Sequence, residues 1–392
     1  MPSVLVSPVD FSVSNSEYGK SYNILNNIEA DDFTIDAYAG NVETPLECES
    51  VTLHSFDSET TLEYLFDAYQ VAYDHLRDGD VDLYHHMNLG YRWFNPLLVA
   101  NLTDSVPTVI GPAQGGHDIL RQEFHYLIDH AFGIDVPQTV TDPLYSVFDR
   151  TRSMLIDPPR LRLYRRTLRN ADTVVAVHQD AKDLLANFVD ESKIEIVPLG
   201  VDPTEFTFSE RSRTSSLVAI GMLKERKGYD ILLNALASVS TEFPDVHLHI
   251  FGEGPLRTEL EFQAERNDVA DHVTFHGYVE QSELREYLAD ARAFVHPSRS
   301  ESFSLVRLEA MATGTPMIVS NTAGATEMVR DDMEGYVVPI GDSDALADAI
   351  GRVLGDFELA SQMGRNARAH VEETYDWRTI GQQYIDIYRS LI

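Results

Sequence analysis

Residues 300–316 read SESFSLVRLEAMATGTP, a stretch in which two glutamates bracket a short apolar run. Apolar side chains recur in this run at the spacing of a helix: Leu305, Leu308 and Ala312. Ser302 or Ser304 is available as the N-cap, and Gly314 is available to end the helix. The stretch therefore predicts a loop followed by a short helix.

This loop and helix follow a predicted strand, AFVHPS. Ligands of α/β folds bind at the carboxyl ends of parallel strands, and the first N–H groups of a helix form an anion site, so we expect a phosphate at 303–305. Glu301 would lie just outside this site and Glu309 about one turn into the helix. Both are ionised near neutral pH and can only accept hydrogen bonds, so neither should face a phosphate directly. A nucleotide sugar, with a diphosphate between two hydroxyl-bearing rings, has this layout. In the alternative interpretation, Glu301 interacts only with the helix dipole and Glu309 is a solvated surface residue.

Strand-like runs alternate with helical patterns along the whole chain in two successive series. The first series has runs near residues 4, 81, 108, 173 and 194, and the second has runs at 216, 246, 273, 293, 316 and 335. Such alternation is typical of parallel α/β architecture, so we predict two α/β units joined near 201–213. The last helical pattern places four large side chains on one stripe: Ile380, Tyr384, Ile387 and Tyr388.

The composition excludes several classes of protein. The chain has 392 residues, 43% of them hydrophobic, which suits two globular domains, and it contains no apolar run long enough to span a membrane. Its N-terminus lacks the features of a secretory signal, and Cys48 is the only cysteine, so we expect a cytoplasmic protein without a disulfide or a thiolate zinc site. The formal net charge of −33 argues against nucleic acid as a partner and indicates a salt-rich, halophilic cell interior.

Several segments carry a resemblance to one family. The pair Glu301 and Glu309, followed by LEAMATGTPMIVSNTAGATEMV, resembles the donor-site signature of the GT-B glycosyltransferases of family 4. Other segments resemble that family and follow in its order: RNADTVVAVHQDAKDLL, IEIVPLGVDPTEF, GMLKERKGYDILLNAL, FGEGPLRTEL and VTFHGYVEQSEL. The resemblance covers roughly residues 165–390 well and the first 160 poorly.

The resemblance implies a GT-B fold, in which two Rossmann-like α/β domains face each other across a cleft. It implies an acceptor-binding domain at residues 1–205, a nucleotide-sugar-binding domain at 206–375, and a C-terminal helix at about 376–392 that returns to the first domain. The implied function is the retaining transfer of a sugar from a nucleotide-diphosphate sugar to a hydroxyl acceptor, in a glycolipid, a lipid-linked glycan or a surface polysaccharide. A non-catalytic nucleotide-sugar-binding protein and a GT-B nucleotide-sugar epimerase stay open as alternatives.

The resemblance also implies roles for individual residues. Glu309 would hold the ribose diol, and Glu301 would contact the donor sugar near the reacting carbon. Lys227 would neutralise the diphosphate leaving group, whose negative charge grows in the transition state. The groups that bind the donor at the helix start would belong to four successive residues: Ser302, Phe303, Ser304 and Leu305.

One departure from the family lies directly after Gly221, a glycine of the donor site. The family usually has an arginine at the next position, whereas this chain has Met222. We expect Arg226 or Lys224 to supply the missing cation. The other interpretation is a solvated loop with ordinary surface charges, but a cluster of cations in so acidic a chain favours a function.

Further expectations concern the turns beside the donor. Gly254, with Gly252, is expected to allow a tight turn from strand to helix, and Val279, with Tyr278, resembles the place where the nucleotide base is held. Ordinary turn chemistry and core packing are the alternatives. The sequence has no Asp-x-Asp metal element after a strand where metal-dependent transferases have one, so we expect neither a metal nor another cofactor.

The first predicted domain gives fewer indications. TVIGPAQGGHD corresponds to a loop in which many relatives carry a histidine aimed at the donor sugar, and His117 is the candidate, with Gln114 beside it. A surface helix start or a role for backbone amides are the alternatives. Gly19 is expected to approach a donor or acceptor phosphate. His85 and His86 end a strand, and alternation would send one of them into the cleft, unless both are buried and hydrogen-bonded.

A basic segment stands out at Arg150–Arg169, which contains seven arginines in an otherwise acidic chain. Because leucines and a tyrosine lie between these arginines, the segment suits peripheral contact with anionic lipid headgroups at the inner membrane face, or binding of a lipid-linked acceptor. Pairing with neighbouring acidic helices, or a helix whose arginines face the donor, are the alternatives.

Overall fold

The computed structural model describes residues 1–7, 9, 20–40, 46–56, 61–87, 106–113, 166–208 and 214–392. The chain divides into two compact units, residues 1–198 with 380–392 and residues 199–379. The boundaries expected from the sequence, 205/206 and 375/376, differ from these by a few residues. The reason is that the N–H of Val201 donates to the Tyr375 carbonyl at 2.8 Å, while the Val201 carbonyl accepts from the Trp377 N–H at 3.2 Å. These bonds join both segments to the second unit.

The first unit is a parallel α/β structure. Its described strands are β1 (Ser3–Val6), β2 (Thr34–Ala39), β3 (Val51–Ser55), β4 (Leu83–His86), β5 (Thr108–Ala113), β6 (Thr173–Ala176) and β7 (Ile194–Ile196). They form one sheet in the order β3-β2-β1-β4-β5-β6-β7. Its described helices include α1 (Lys20–Asn26), α2 (Thr61–Asp78) and α3 (Gln179–Leu185). The five strands predicted for the first series are confirmed, whereas β2 and β3 were not predicted.

The second unit is also a parallel α/β structure. Its strands are β8 (Ser216–Ile220), β9 (His247–Phe251), β10 (Val273–Gly277), β11 (Ala293–His296), β12 (Met317–Ser320) and β13 (Gly335–Val338), in the sheet order β10-β9-β8-β11-β12-β13. Its helices include α4 (Tyr229–Glu242), α5 (Arg257–Arg266), α6 (Gln281–Asp290), α7 (Leu305–Ala312), α8 (Ala325–Met328), α9 (Ser343–Gly355) and α10 (Phe357–His370). All six strands predicted for the second series are confirmed. None of the described helices combines the length and the apolar character needed to cross a membrane.

Both faces of the second sheet are covered, as expected for parallel strands with continuous apolar sequences. Every residue of β11 and of β12 is buried. On one side, α4 and α9 bury aliphatic side chains against the sheet, and on the other α7 contributes Leu308 and Met311. Because β8 and β11 are parallel neighbours, the loops that follow them lie side by side at the same edge of the sheet.

The C-terminal helix α11 (Trp377–Leu391) contributes its residues from 380 onward to the first unit. All four residues of the predicted stripe are buried, with Tyr388 completely inaccessible. The Tyr388 hydroxyl lies 2.5 Å from His85 Nδ1, and His85 Nε2 lies 3.0 Å from the Gly111 carbonyl. Of the two interpretations of this histidine pair, the structure supports the buried, hydrogen-bonded one, because β4 lies between β1 and β5 and both His85 and His86 are fully buried.

Substitution of Gly381 tests how tightly α11 packs in the first unit. A Cβ at Gly381 would stand 1.9 Å from the Asn27 carbonyl oxygen, so we expect Gly381→Ala to lower the free energy of unfolding by about 1–3 kcal/mol. Gly351, inside α9, is the matched control, since its Cβ would find its nearest neighbour at 3.8 Å. Gly351→Ala should stabilise by about 0.5–1 kcal/mol through helix propensity. Urea unfolding of both variants makes the comparison, and equal stability would contradict the packing described.

Candidate functional site

The loop after β8 begins with a close approach of backbone to side chain. Gly221 has φ +143°, and a Cβ there would meet Lys227 Cε at 3.4 Å. The Tyr229 hydroxyl donates to the Gly221 carbonyl at 2.8 Å and so holds the two ends of the loop together. The neighbouring turn is equally tight, because a Cβ at Gly254 would stand 2.5 Å from the Leu223 carbonyl oxygen. A role of Gly221 and Gly254 in donor binding stays a prediction.

Lys227 lies at the end of a single 3-10 turn in this loop and is almost completely buried. The next residue, Gly228, has φ +68°, and a Cβ there would stand 2.1 Å from the Pro297 carbonyl oxygen, so the loop packs directly against the segment after β11. The Lys227 Nζ donates to Glu301 Oε2 in a short ion pair. Burial lowers the pKa of Lys227, and the charge of Glu301 opposes this shift.

Glu301 is the carboxylate at the centre of this cluster, and its side chain is 8% exposed. Besides Lys227, its oxygens lie 3.6 Å from Arg226 Nη1 and 3.7 Å from His296 Nε2. Burial alone would raise the pKa of Glu301, but the charges of Lys227 and Arg226 outweigh burial and hold it below its usual value. Glu301 is therefore ionised at neutral pH and paired, and an interaction with the helix dipole alone does not describe it.

The helix start predicted to bind a phosphate is present. Helix α7 begins at Leu305, with Ser304 as N-cap in extended conformation and without a hydrogen bond from its side chain. Of the two N-cap candidates, Ser304 is therefore correct, while the Ser302 N–H donates to Glu301 Oε1 at 3.3 Å. Within the described chain, the N–H groups of Phe303, Ser304 and Leu305 have no acceptor. These free donors at a helix N-terminus can bind an anion.

Glu309 lies one position past the middle of α7 and is half-buried. Gln281 Nε2, on α6, donates weakly to Glu309 Oε1 at 3.4 Å, and the positive charge of Arg285 is near. Burial raises the pKa of Glu309, which is the largest effect on this carboxyl, above the lowering effect of Arg285. A fully solvated surface residue would not show this shift. Gln281 supplies one weak donor, which leaves further lone pairs of the carboxylate for a donating ligand.

Arg226 is the better placed of the two candidates for the missing cation. Its Nη1 lies near Glu301 and donates to the Ser300 carbonyl at 3.4 Å, and its buried Nε has no partner in the described structure. The Arg226 carbonyl accepts from the Arg299 N–H at 2.7 Å, which joins the loops after β8 and β11. Lys224 is half-buried, and its side chain makes no hydrogen bond or ion pair with a described residue. Met222 is 47% exposed and supplies no charge.

The remaining predicted site residues fall into two groups. Val279 follows β10 and packs half-buried against the core, while Tyr278 beside it is 75% exposed. His117 and Gly19 lie outside the described residues, as do Gln114 and Asn88. Most of the basic segment also lies outside them, although Arg169 is described and its Nε donates to the Phe188 carbonyl at 3.3 Å.

Sequence reasoning missed two buried residues that contact this cluster, His296 and Arg307. His296 ends β11, and its Nε2 lies 3.4 Å from Lys227 Nζ. Arg307 is fully buried in α7 and donates to His296 Nδ1 at 2.9 Å. The one sequence feature that could have revealed Arg307 is its position between Val306 and Leu308, inside the apolar run that opens the helix.

Two family models match the chain in succession. The model described as Glycosyltransferase Family 4 matches residues 22–205, and the model described as Glycosyl transferases group 1 matches residues 204–370. The second match contains Lys227, Glu301 and Glu309. Between them the two models cover residues 22–370, so the chain is similar to glycosyltransferases along most of its length. The similarity to glycosyltransferases is therefore not limited to the segment around Glu301 and Glu309, since the matched residues lie in both units.

Individual glycosyltransferases agree with this assignment. A GDP-mannose-dependent alpha-(1-6)-phosphatidylinositol monomannoside mannosyltransferase of Mycolicibacterium smegmatis is 31% identical over 242 residues, which are 57% of this chain and 63% of the relative. The match thus spans less than two thirds of that relative's length. Sucrose-phosphate synthase from Thermosynechococcus elongatus has the same fold with a TM-score of 0.66 at 22% identity, over 100% of this chain and 99% of the other. HepE from Anabaena, solved with UDP and glucose, gives a TM-score of 0.63 at 18% identity, with both chains fully covered.

Proposed function

We propose that this chain is a retaining glycosyltransferase that moves a sugar from a nucleotide-diphosphate sugar to a hydroxyl acceptor. The observation that carries the proposal is the excess of positive charge around one carboxylate. Three buried or half-buried cations, Arg226, Lys227 and Arg307, act on Glu301, and free N–H groups begin α7 beside them. A buried site with uncompensated positive charge is suited to a diphosphate, whose leaving-group charge it would stabilise.

The printed descriptions of similar proteins support the class of donor. The mycolicibacterial relative is described as GDP-mannose-dependent, and HepE was solved with UDP and glucose. By analogy we propose a nucleoside diphosphate hexose as donor, with the ribose diol accepted by Glu309 and the sugar beside Glu301. The acceptor would be a glycolipid, a lipid-linked glycan or a surface polysaccharide. Retention of configuration is proposed on the resemblance of the donor signature alone.

One observation favours a second candidate, a protein that binds nucleotide sugars without turnover. Met222 stands where the resembled family usually has a cation, and its exposed side chain cannot stabilise a departing diphosphate. The position of Arg226 beside Glu301 argues for catalysis instead, because it returns a cation to the same loop. An epimerase has no comparable observation in its favour.

A thermal-shift panel of nucleoside diphosphates and their sugars tests the proposal. A ligand at about 100 times its dissociation constant stabilises the folded state by about 2.7 kcal/mol, so a matching donor should raise the unfolding midpoint clearly. Nucleoside monophosphates, which lack the second phosphate, are the control and should have a smaller effect. No response to any nucleoside diphosphate or its sugar would contradict the proposal. A donor that binds but is neither hydrolysed nor transferred would support the binding-only candidate.

We further propose that the protein works without a divalent metal, in concentrated salt, in the cytoplasm. The net charge of −33 supports the salt requirement, because dissolved ions screen repulsion among carboxylates. The panel is therefore run in low and high KCl, with and without EDTA, and a loss of donor binding in EDTA would contradict the metal-free part.

Contact of Arg150–Arg169 with the inner membrane face stays a proposal. It is tested by measuring binding to anionic vesicles for the wild type and for a variant in which Arg162, Arg165 and Arg166 are replaced by alanine.

A further inference from the structure

Arg307 is a buried cation without a counter-ion in direct contact. It lies in the first turn of α7 and is 0% exposed. Its Nε donates to His296 Nδ1 and its Nη2 to Thr322 Oγ1, each at 2.9 Å. In the described part of the chain, no carboxylate lies within ion-pairing distance of its guanidinium. An arrangement of this kind is costly unless a ligand or a function compensates for it.

The charge of Arg307 nevertheless acts on the ion pair of Lys227 and Glu301. Burial lowers the pKa of Arg307 itself to about 10, and Glu301 is the group that opposes this shift. Arg307 in turn contributes to the lowered pKa of Lys227 and of Glu301, after burial and the nearer charges. It therefore lies close enough to influence the two groups proposed to meet the diphosphate and the donor sugar.

His296 connects Arg307 to that cluster. A guanidinium only donates hydrogen bonds, so His296 Nδ1 must accept from it, and a neutral ring then carries its proton on Nε2. This Nε2 lies 3.0 Å from Ser298 Oγ, 3.4 Å from Lys227 Nζ and 3.7 Å from Glu301 Oε2. Burial, followed by the charges of Arg307, Lys227 and Arg226, lowers the pKa of His296 well below its usual value. The ring is neutral, with its N–H directed to the side of Ser298 and Glu301.

We infer that Arg307 is a positioning residue of the donor site, which fixes the tautomer of His296 next to the Lys227–Glu301 pair and holds a positive charge in the protein interior for the diphosphate. This inference rests on the proposed function. It explains how the site maintains its excess of positive charge although Met222 supplies none from the exposed loop. A fixed, buried charge requires no reorganisation as the leaving group departs, so its effect should fall on kcat more than on KM.

Replacing Arg307 with methionine removes the charge and the hydrogen bond to His296 while keeping an apolar side chain in the buried position. We expect kcat to fall about tenfold or more with a smaller change in KM. The acid limb of the kcat–pH profile should move to higher pH, because His296 loses the donor on Nδ1 and both His296 and Glu301 lose a nearby positive charge. Arg307→Lys retains the charge without the Nε donor, so it should recover part of kcat.

Thr322→Val is the matched control, because it removes the other hydrogen bond of Arg307 and leaves His296 untouched. It should lower stability but keep kcat and the pH profile close to those of the wild type. An Arg307→Met enzyme with wild-type kcat and pH profile would overturn the inference, as would a loss that merely follows stability in all three variants. If Arg307→Met does not fold, the full wild-type kcat in Arg307→Lys, which lacks the Nε donor to His296, decides against the inference in the same way. Failure of the wild type to bind any nucleoside diphosphate would instead overturn the proposed function.

Discussion

Lys227→Ala is expected to lower kcat by about 10²–10³-fold, the effect of removing one preorganised donor from a developing negative charge. Lys227 is the only cation that forms a short ion pair with Glu301 among the described residues, and Gly221 leaves room for its side chain beside the main chain. Its charge would stabilise the departing diphosphate more strongly than the bound donor. We therefore expect a smaller change in KM than in kcat, measured by steady-state kinetics with saturating acceptor.

Loss of Lys227 also leaves Glu301 buried without its closest partner. Removing one member of a fully buried ion pair costs about 3–5 kcal/mol of stability, and we expect a loss up to this size for the nearly buried pair here. The double variant Lys227→Ala with Glu301→Gln separates this effect from catalysis, since it removes the unpaired charge. It should regain stability but not turnover. Lys224→Ala is the control in the same loop, where the side chain has no described partner, and it should keep nearly full activity. Near-normal kcat in Lys227→Ala would rule out the role assigned to this lysine.

The strands that the sequence predicts best are those with continuous apolar runs. All eleven predicted strands are present, and several of them, such as β11 and β12, are buried along their whole length. The two that were missed, β2 and β3, are less uniform, since β2 alternates between buried and more exposed residues and β3 is buried only at Val51. In β2 and β3 the continuous apolar run that reveals a buried parallel strand is therefore interrupted.

The local geometry of the candidate site follows in part from the sequence, and the rest depends on tertiary packing. The spacing of Glu301 and Glu309 and the lysine in the loop follow from local sequence, because each is tied to the start or end of one element. Their mutual pairing does not, since Lys227 and Glu301 meet only when the loops after β8 and β11 pack together. Arg307 was missed for the same reason. A helix pattern does not predict a buried cation, and the hydrogen-bond partners that allow its burial, His296 and Thr322, come from the end of β11 and from just after β12.

Glu309→Gln is expected to weaken donor binding by about 1.5–3 kcal/mol, roughly 10–150-fold in Kd, because a ribose diol would lose a charged acceptor. The amide keeps the shape of the side chain, so the fold and the contact with Gln281 on α6 should remain. Binding of a nucleoside diphosphate, measured by calorimetry, tests this at a fixed salt concentration. Glu286→Gln is the matched control, since Glu286 is an exposed residue on α6, and it should leave the affinity unchanged.

The pH dependence of the same variant gives a second signature. Burial raises the pKa of Glu309, so the folded protein without donor holds the proton of this carboxyl more tightly than the unfolded chain does. The contribution of Glu309 to stability is therefore greatest below its usual pKa of about 4.3 and is lost as pH rises through the raised value. Hydroxyl groups of a donor would bind the ionised form, so donor affinity should increase with pH across that same window. Other groups titrate equally in both proteins. Subtracting the values for Glu309→Gln from those for the wild type therefore leaves the effect of Glu309 on the free energy of unfolding and on donor affinity at each pH. An affinity difference that stays constant as pH rises from about 4.5 to about 7.5 would show that no diol is held by this carboxylate.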